Sequence, residues 1–217
     1  MSMSMSVRQK QLTKKVMCSL LAAGVINVCI SGGDVWAENT VKLTSDTVYN
    51  VIGEIPASIE MNGHNIISNV MLNADNAGLS IIGTDMENLT INGEGLQFAV
   101  AAQSSSNAKV LISNVKKVDI TGNVINDSLL HSNINGAIIF DKVGLFNITT
   151  EKSIGLHAQG GLIYIDADAV SIKSKDENAI WAQLSNCSGD YPSDVKIKSS
   201  GDITLQSTSS TAVGAAN

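Results

Sequence analysis

ITTEKSIGLHA at residues 148–158, IKSKDENAIWA at 172–182 and LQSTSSTAVGA at 205–215 share one pattern, and that pattern determines the fold class. Each stretch starts with an aliphatic residue, has Ser or Thr two positions later, and ends in a short apolar run that closes on alanine. The segments before them repeat too, because GAIIFDKVGLFNI at 136–148 precedes GGLIYIDADAVSI at 160–172 by 24 residues. A repeat of this length predicts an architecture of stacked, similar units.

The units themselves are predicted to consist of short β-strands. Apolar stretches such as Leu79-Ser-Ile81 and Val118-Asp-Ile120 are separated by turn residues such as Asn62-Gly63 and Asn92-Gly93. The sequence beyond residue 37 has no window of a dozen residues with the spacing of an amphipathic helix. One such unit cannot bury its apolar face alone, whereas stacked units can. The sequence therefore predicts an all-β fold, a right-handed parallel β-helix (β-solenoid) preceded by a signal peptide.

In a β-helix each strand pairs with its counterpart one coil further along the chain. The shared pattern predicts one interior ladder of aliphatic side chains and a second ladder of alanines at a tight corner. These two ladders are Ile148–Ile172–Leu205 and Ala158–Ala182–Ala215. His157 and Trp181 occupy a variable position of the repeat and are expected to face outward.

The second interval between repeats is longer than the first, 33 residues instead of 24. The additional residues fall within 185–194, SNCSGDYPSD, which contains Gly and Pro and is predicted to be a surface loop. Cys187 in this loop is the one cysteine after residue 37, so no disulfide framework is expected within one molecule.

Residues 1–37 have the order of features that defines a secretory signal peptide. A basic segment at 1–15 is followed by an apolar segment at 16–30, and Val35 and Ala37 form a small-residue cleavage site. A helix of the apolar segment would reach roughly 22 Å, short of the ~30 Å core of a bilayer. We therefore predict cleavage between Ala37 and Glu38 and export of residues 38–217.

The charge of the exported part argues against nucleic-acid binding. The chain has a formal net charge of −6, and residues 38–217 alone carry −9. An acidic body of this kind repels the phosphate backbone.

Two stretches suggest a family. VKIKSSGDITL at 195–205 and NAIWA at 178–182 resemble passenger domains of bacterial autotransporters and, more broadly, filamentous-haemagglutinin-like surface adhesins. The resemblance implies an exported structural and adhesive β-helix at the cell surface, outer-membrane-associated in its full-length form, where it would be linked to a membrane β-barrel. Its loops would contact an unknown surface ligand, a host protein or a glycan.

The same resemblance suggests how the chain is organised. An N-terminal cap region is expected at about 38–78 and repeats at about 79–217. The pattern of a membrane barrel does not follow the last repeat, so the chain is expected to be a truncated N-terminal portion.

Few side chains are candidates for chemistry. His64, His131 and His157 lie far apart in the sequence and have no metal-ligand spacing. The sequence therefore predicts no catalytic, cofactor-binding or metal-binding residues, no cofactor and no enzymatic activity.

Asp166-Ala-Asp168 is the one acidic pair that fits an alternative function. A carbohydrate-active β-helix enzyme, of the pectate lyase or glycosidase type, would line a groove with carboxylates. The preceding repeat has Lys142 and Gly144 at the equivalent positions, and no basic partner is expected nearby, so the pair is predicted to face solvent. A non-functional fragment is the remaining alternative.

Overall fold

The computed structural model of the chain describes residues 40–51, 53–74, 78–103, 108–183 and 193–216. These residues form β-strands and no helix, and accordingly none of them belongs to a helix that could cross a membrane. The predicted signal peptide at 1–37, its cleavage site and residues 185–192 with Cys187 lie outside the described residues.

The strands follow one another along the whole described part of the chain. They are β1 (Thr40–Lys42), β2 (Thr47–Tyr49), β3 (Ser58–Glu60), β4 (Ile66–Ser68), β5 (Leu72–Asn73), β6 (Leu79–Ile82), β7 (Asn88–Asn92), β8 (Val100–Ala102), β9 (Lys109–Thr121), β10 (Ser128–Asn133), β11 (Ala137–Thr150), β12 (Ile154–Gln159), β13 (Leu162–Ser174), β14 (Ile180–Gln183), β15 (Asp194–Ser199), β16 (Ile203–Ser207) and β17 (Val213–Ala216).

The strands belong to two parallel sheets. In the first sheet the order is β1-β3-β6-β9-β11-β13-β15, with β2, β4, β7 and β16 paired alongside this row. In the second sheet the order is β5-β8-β10-β12-β14-β17. Each strand pairs with strands one coil before and one coil after it, so the chain winds as a β-solenoid, and the predicted all-β parallel β-helix is confirmed.

The two predicted ladders are present. Ile172 pairs with Ile148 on one side and with Leu205 on the other, and both isoleucines are fully buried. Ala182 likewise pairs with Ala158 and Ala215. The repeat pattern thus predicted the register between coils over these segments.

Three strands are longer than the rest, because two strands merge where other coils turn. β9, β11 and β13 have 13 or 14 residues, whereas the other strands have two to six. β9 pairs with both β6 and β7 of the preceding coil, and β13 pairs with both β15 and β16 of the following coil. The middle coils therefore present one bent, continuous face.

The gapless alignment of 136–148 with 160–172 is wrong by one residue in its first half. Val143 pairs with Ala167, as an offset of 24 requires, but Ala137 pairs with Leu162 and Phe140 with Ile165. The register shifts at a β-bulge between Phe140 and Val143. β11 therefore holds one residue more than β13 at this bend.

The interior of the solenoid is apolar and closed to solvent. A ladder of fully buried side chains runs through consecutive coils of the first sheet: Ile59, Ile81, Ile112, Phe140 and Ile165. Phe140 also packs edge-to-face on Phe146, with ring centroids 4.6 Å apart. Burying side chains of this size contributes about 1.5–3 kcal/mol each, so the stacked core dominates the stability of the fold.

Candidate functional site

A charged cleft lies where the long strands bend. It has a volume of about 560 Å³ and runs across neighbouring coils beside the bulge of β11. Its charged lining consists of Asp85, Lys116, Lys142, Asp166, Asp168 and Lys198. Three carboxylates thus face three ammonium groups, which makes the cleft a polar surface of mixed charge.

Asp166 is engaged in an ion pair within this cleft. Lys198 Nζ lies 2.6 Å from Asp166 Oδ2, because β13 and β15 place the two residues opposite each other. This hydrogen bond and the charge of Asp166 raise the pKa of Lys198. The expectation that no basic partner lies near Asp166 is therefore wrong. The sequence signal was available, because Lys198 lies one coil beyond Asp166.

Asp168 has a different environment from Asp166. Its side chain is exposed, and its Oδ1 accepts a hydrogen bond from Ser200 Oγ at 3.1 Å. An acid–base pair for glycoside hydrolysis needs one carboxyl group free to act as acid and one as base or nucleophile. Because Asp166 is neutralised by Lys198, this pair suits binding better than proton transfer.

A second cluster of ionisable side chains lies at the second sheet. His131 on β10 and His157 on β12 are register partners in adjacent coils, 26 residues apart. Asp127 directly precedes β10 and lies beside both rings. The β-helix thus places together three residues that the sequence analysis left apart.

Direct contacts hold the cluster in place. His157 Nδ1 is 2.6 Å from Asp127 Oδ2, and His131 Nδ1 is 3.7 Å from Asp127 Oδ1. Ser128 Oγ donates a hydrogen bond to Asp127 Oδ1 at 3.0 Å. The two imidazole rings meet edge-to-face at 5.1 Å, and Phe98 stacks on His131 at 4.6 Å.

Burial determines the protonation of this cluster. Desolvation lowers the pKa of His131 to about 4; Asp127 opposes the shift, and His157 adds to it. For Asp127 burial acts to raise the pKa, but the hydrogen bond and charge of His157 outweigh it and the net pKa is lowered. At neutral pH the cluster therefore combines a neutral His131 with an ionised Asp127.

His157 differs from its predicted role. It was expected at an outward, replaceable position, but it is buried, with only 4% of its surface exposed. Its Nε2 is buried and has no hydrogen-bond partner among the described residues. Buried polar atoms are rarely left unpaired, so this nitrogen needs an explanation.

The donor atoms of the cluster suit a metal ion. Asp127, His131 and His157 each offer one ligand atom, and these atoms lie within 4.8 Å of one another. Imidazole nitrogens combined with a carboxylate oxygen are common ligands of Zn²⁺ and related ions. Linear spacing could not predict this group, because its members are separated by one coil and not by one turn of a helix. A comparison of residues one coil apart would have paired the two histidines.

The third histidine lies apart from this cluster. His64 Nδ1 is 3.7 Å from Asp46 Oδ1, and a third of the His64 side chain is exposed. This pair therefore resembles the Asp127–His131 contact but belongs to no group of three ligands among the described residues.

Comparison with known proteins adds no relative. No protein-family model, no curated protein and no solved structure matches the chain.

Proposed function

We propose that this chain is an exported β-helix that acts as a structural and adhesive element at the cell surface, without catalytic activity. The observation that carries the proposal is the solenoid itself, in which coils stack in register over a closed apolar core. A stack of this kind supports loops and side chains along an extended face. The signal-peptide pattern of residues 1–37 supports export.

The mixed-charge cleft is the surface that we propose for ligand contact. Its three carboxylates and three ammonium groups would recognise a partner that carries both charges or many hydroxyl groups, such as a host protein or a glycan. The side chains come from separate coils whose relative positions are set by strand pairing, so little ordering is needed when a ligand binds.

One observation favours a second function, that of a carbohydrate-active enzyme. Asp85, Asp166 and Asp168 all line the same cleft, as acidic residues do in β-helical polysaccharide enzymes. The ion pair between Asp166 and Lys198 weighs against it. Polysaccharide cleavage that Asp166→Asn abolishes and Lys173→Gln leaves intact would establish this second function.

Export is tested by expressing the full chain with a C-terminal tag in a Gram-negative host. We expect the tagged protein outside the cytoplasm, with Glu38 as its first residue. Ala37→Arg is the control, because a large charged residue at the cleavage site should prevent processing. Recovery of the unmodified chain from the cytoplasm with residues 1–37 attached would contradict the proposal.

Adhesion is tested with the exported protein on immobilised glycans, matrix proteins and host cells. Lys198→Glu should weaken binding at least tenfold, because it breaks the ion pair and changes the charge of the cleft. Lys173→Glu makes the same charge change at an exposed position outside the cleft and should leave binding intact. Equal binding by both variants would exclude the cleft as the contact surface.

A further inference from the structure

We propose that Asp127, His131 and His157 form a binding site for a divalent transition-metal ion of the Zn²⁺ class. The ion would link two adjacent coils of the second sheet, because His131 belongs to β10 and His157 to β12. This site is separate from the charged cleft, which none of the three residues lines.

The distances between the ligand atoms fit such an ion. Zn²⁺ binds imidazole nitrogen and carboxylate oxygen at about 2.0–2.2 Å, which places neighbouring ligands of a tetrahedral site about 3.3 Å apart. The contacts of Asp127 with His157, at 2.6 Å, and with His131, at 3.7 Å, lie on either side of this value. Changes of well under 1 Å would bring both pairs to the spacing of a metal site.

Hydrogen bonding alone leaves His157 unsatisfied. If its Nδ1 donates a proton to Asp127, the buried Nε2 keeps a lone pair that no described residue satisfies. If the proton is on Nε2, the Nδ1 lone pair faces the carboxylate at 2.6 Å, and the two repel each other. A bound cation removes this conflict, since it accepts a lone pair from the imidazole and attracts the carboxylate.

The chemistry of the ligands selects the class of metal. Two imidazole nitrogens and one carboxylate oxygen favour Zn²⁺ and neighbouring transition metals, whereas Ca²⁺ and Mg²⁺ prefer oxygen ligands alone. Three protein ligands leave a fourth position open for water.

The surroundings of the cluster prepare it for binding. Phe98 stacks on the ring of His131, and Ser128 Oγ holds one oxygen of Asp127 by a hydrogen bond. Such neighbours orient metal ligands and increase affinity. The Asp127 side chain is 46% exposed, so an ion can reach the buried histidines from solvent along this carboxylate.

The first test is metal titration of the purified full chain after treatment with EDTA. Isothermal titration calorimetry with ZnCl₂ should show one ion per chain, and thermal unfolding should shift upward with added Zn²⁺. Co²⁺ should bind at the same site and show the visible absorption of a tetrahedral complex. Mg²⁺ and Ca²⁺ at the same concentration should do neither.

Variants locate the binding to the cluster. His131→Gln, His157→Gln and Asp127→Asn should each weaken Zn²⁺ binding at least tenfold. Asp127→Asn changes a partly exposed residue, and circular dichroism will confirm that this variant is folded. His64→Gln is the matched control, because His64 also lies 3.7 Å from a carboxylate but belongs to no group of three. It should bind Zn²⁺ like the unmodified chain.

Thiolates are the main competing ligands. A variant with Ser at positions 18, 29 and 187, where the chain has its three cysteines, should retain the one-to-one binding. Loss of binding in this variant would overturn the proposal. So would absence of Zn²⁺ binding in the unmodified chain, or undiminished binding in folded Asp127→Asn.

Discussion

Glu87 connects two coils through a single buried carboxylate. Its side chain accepts hydrogen bonds from the Gly63 amide at 2.6 Å, one coil earlier, and from the Thr84 amide and hydroxyl at 2.7 and 2.8 Å. Burial acts to raise the pKa of Glu87, but these hydrogen bonds prevail and lower it from 4.5 to about 2. The folded state therefore favours the ionised form.

The lowered pKa predicts how stability depends on pH. Because the folded pKa lies below the unfolded value, the contribution of Glu87 is complete above pH 4.5 and is lost as the pH falls towards 2. The shift corresponds to about 3 kcal/mol. Urea unfolding at several pH values should show that Glu87→Gln reduces the free energy of unfolding by roughly this amount at pH 7 and much less near pH 2.

Glu60→Gln is the control for this prediction. The Glu60 side chain is 43% exposed and pairs with Lys42 at the surface, so its loss should change stability by less than about 1 kcal/mol. Equal effects of the two variants would show that Glu87 is not a special contact.

At the scale of single elements, a β-bulge shapes the middle of the first sheet. Asn114 on β9 and Lys142 on β11 both have a φ of 54°, in the left-handed region that side chains other than glycine rarely adopt. β9 and β11 stay in register through this bend, whereas β13 has one residue fewer. The bulge lies next to the charged cleft and helps to form it.

Glycine substitutions test the strain at this bulge. Lys142→Gly should leave stability unchanged or raise it by about 1 kcal/mol, since glycine adopts a positive φ without steric cost. Lys173→Gly, at an exposed position of the regular strand β13, should lower stability by about 0.5–1 kcal/mol. Thermal unfolding of both variants measures the difference. A greater loss at position 142 than at 173 would mean that the bulge does not strain the backbone.

At the scale of the whole molecule, stability depends on contacts between neighbouring coils. The Ile148–Ile172–Leu205 ladder crosses three consecutive coils, and its members touch no partner from distant coils. In such a stack each coil is stabilised chiefly by the coils before and after it. A defect in one coil should therefore spread to its neighbours and become weaker with distance.

Ile172→Asp tests this view. A carboxylate at this fully buried position has no partner in the apolar interior and should cost several kcal/mol. Hydrogen exchange should rise most in β11, β13 and β16 and least in β3 and β6. Lys173→Asp, next to it on the exposed side of the same strand, should change little. Uniform loss of protection along the chain would instead indicate a single cooperative unit.

The sequence by itself determined the class of fold and much of its register. Repeats of about two dozen residues, with aliphatic residues at equal offsets, require strands that pair between coils, and the ladders through Ile172 and Ala182 confirm this. These predictions succeeded because burial of an apolar face is a periodic property that the sequence displays directly.

Only the tertiary structure decided which polar side chains meet. Coil lengths vary by single residues, as the bulge between Phe140 and Val143 shows, and one residue changes which side chains lie opposite each other. The pair of Asp166 with Lys198 and the cluster of Asp127 with His131 and His157 therefore arise from contacts between coils. Polar contacts depend on distances of a few ångströms, and the winding of the whole solenoid sets those distances.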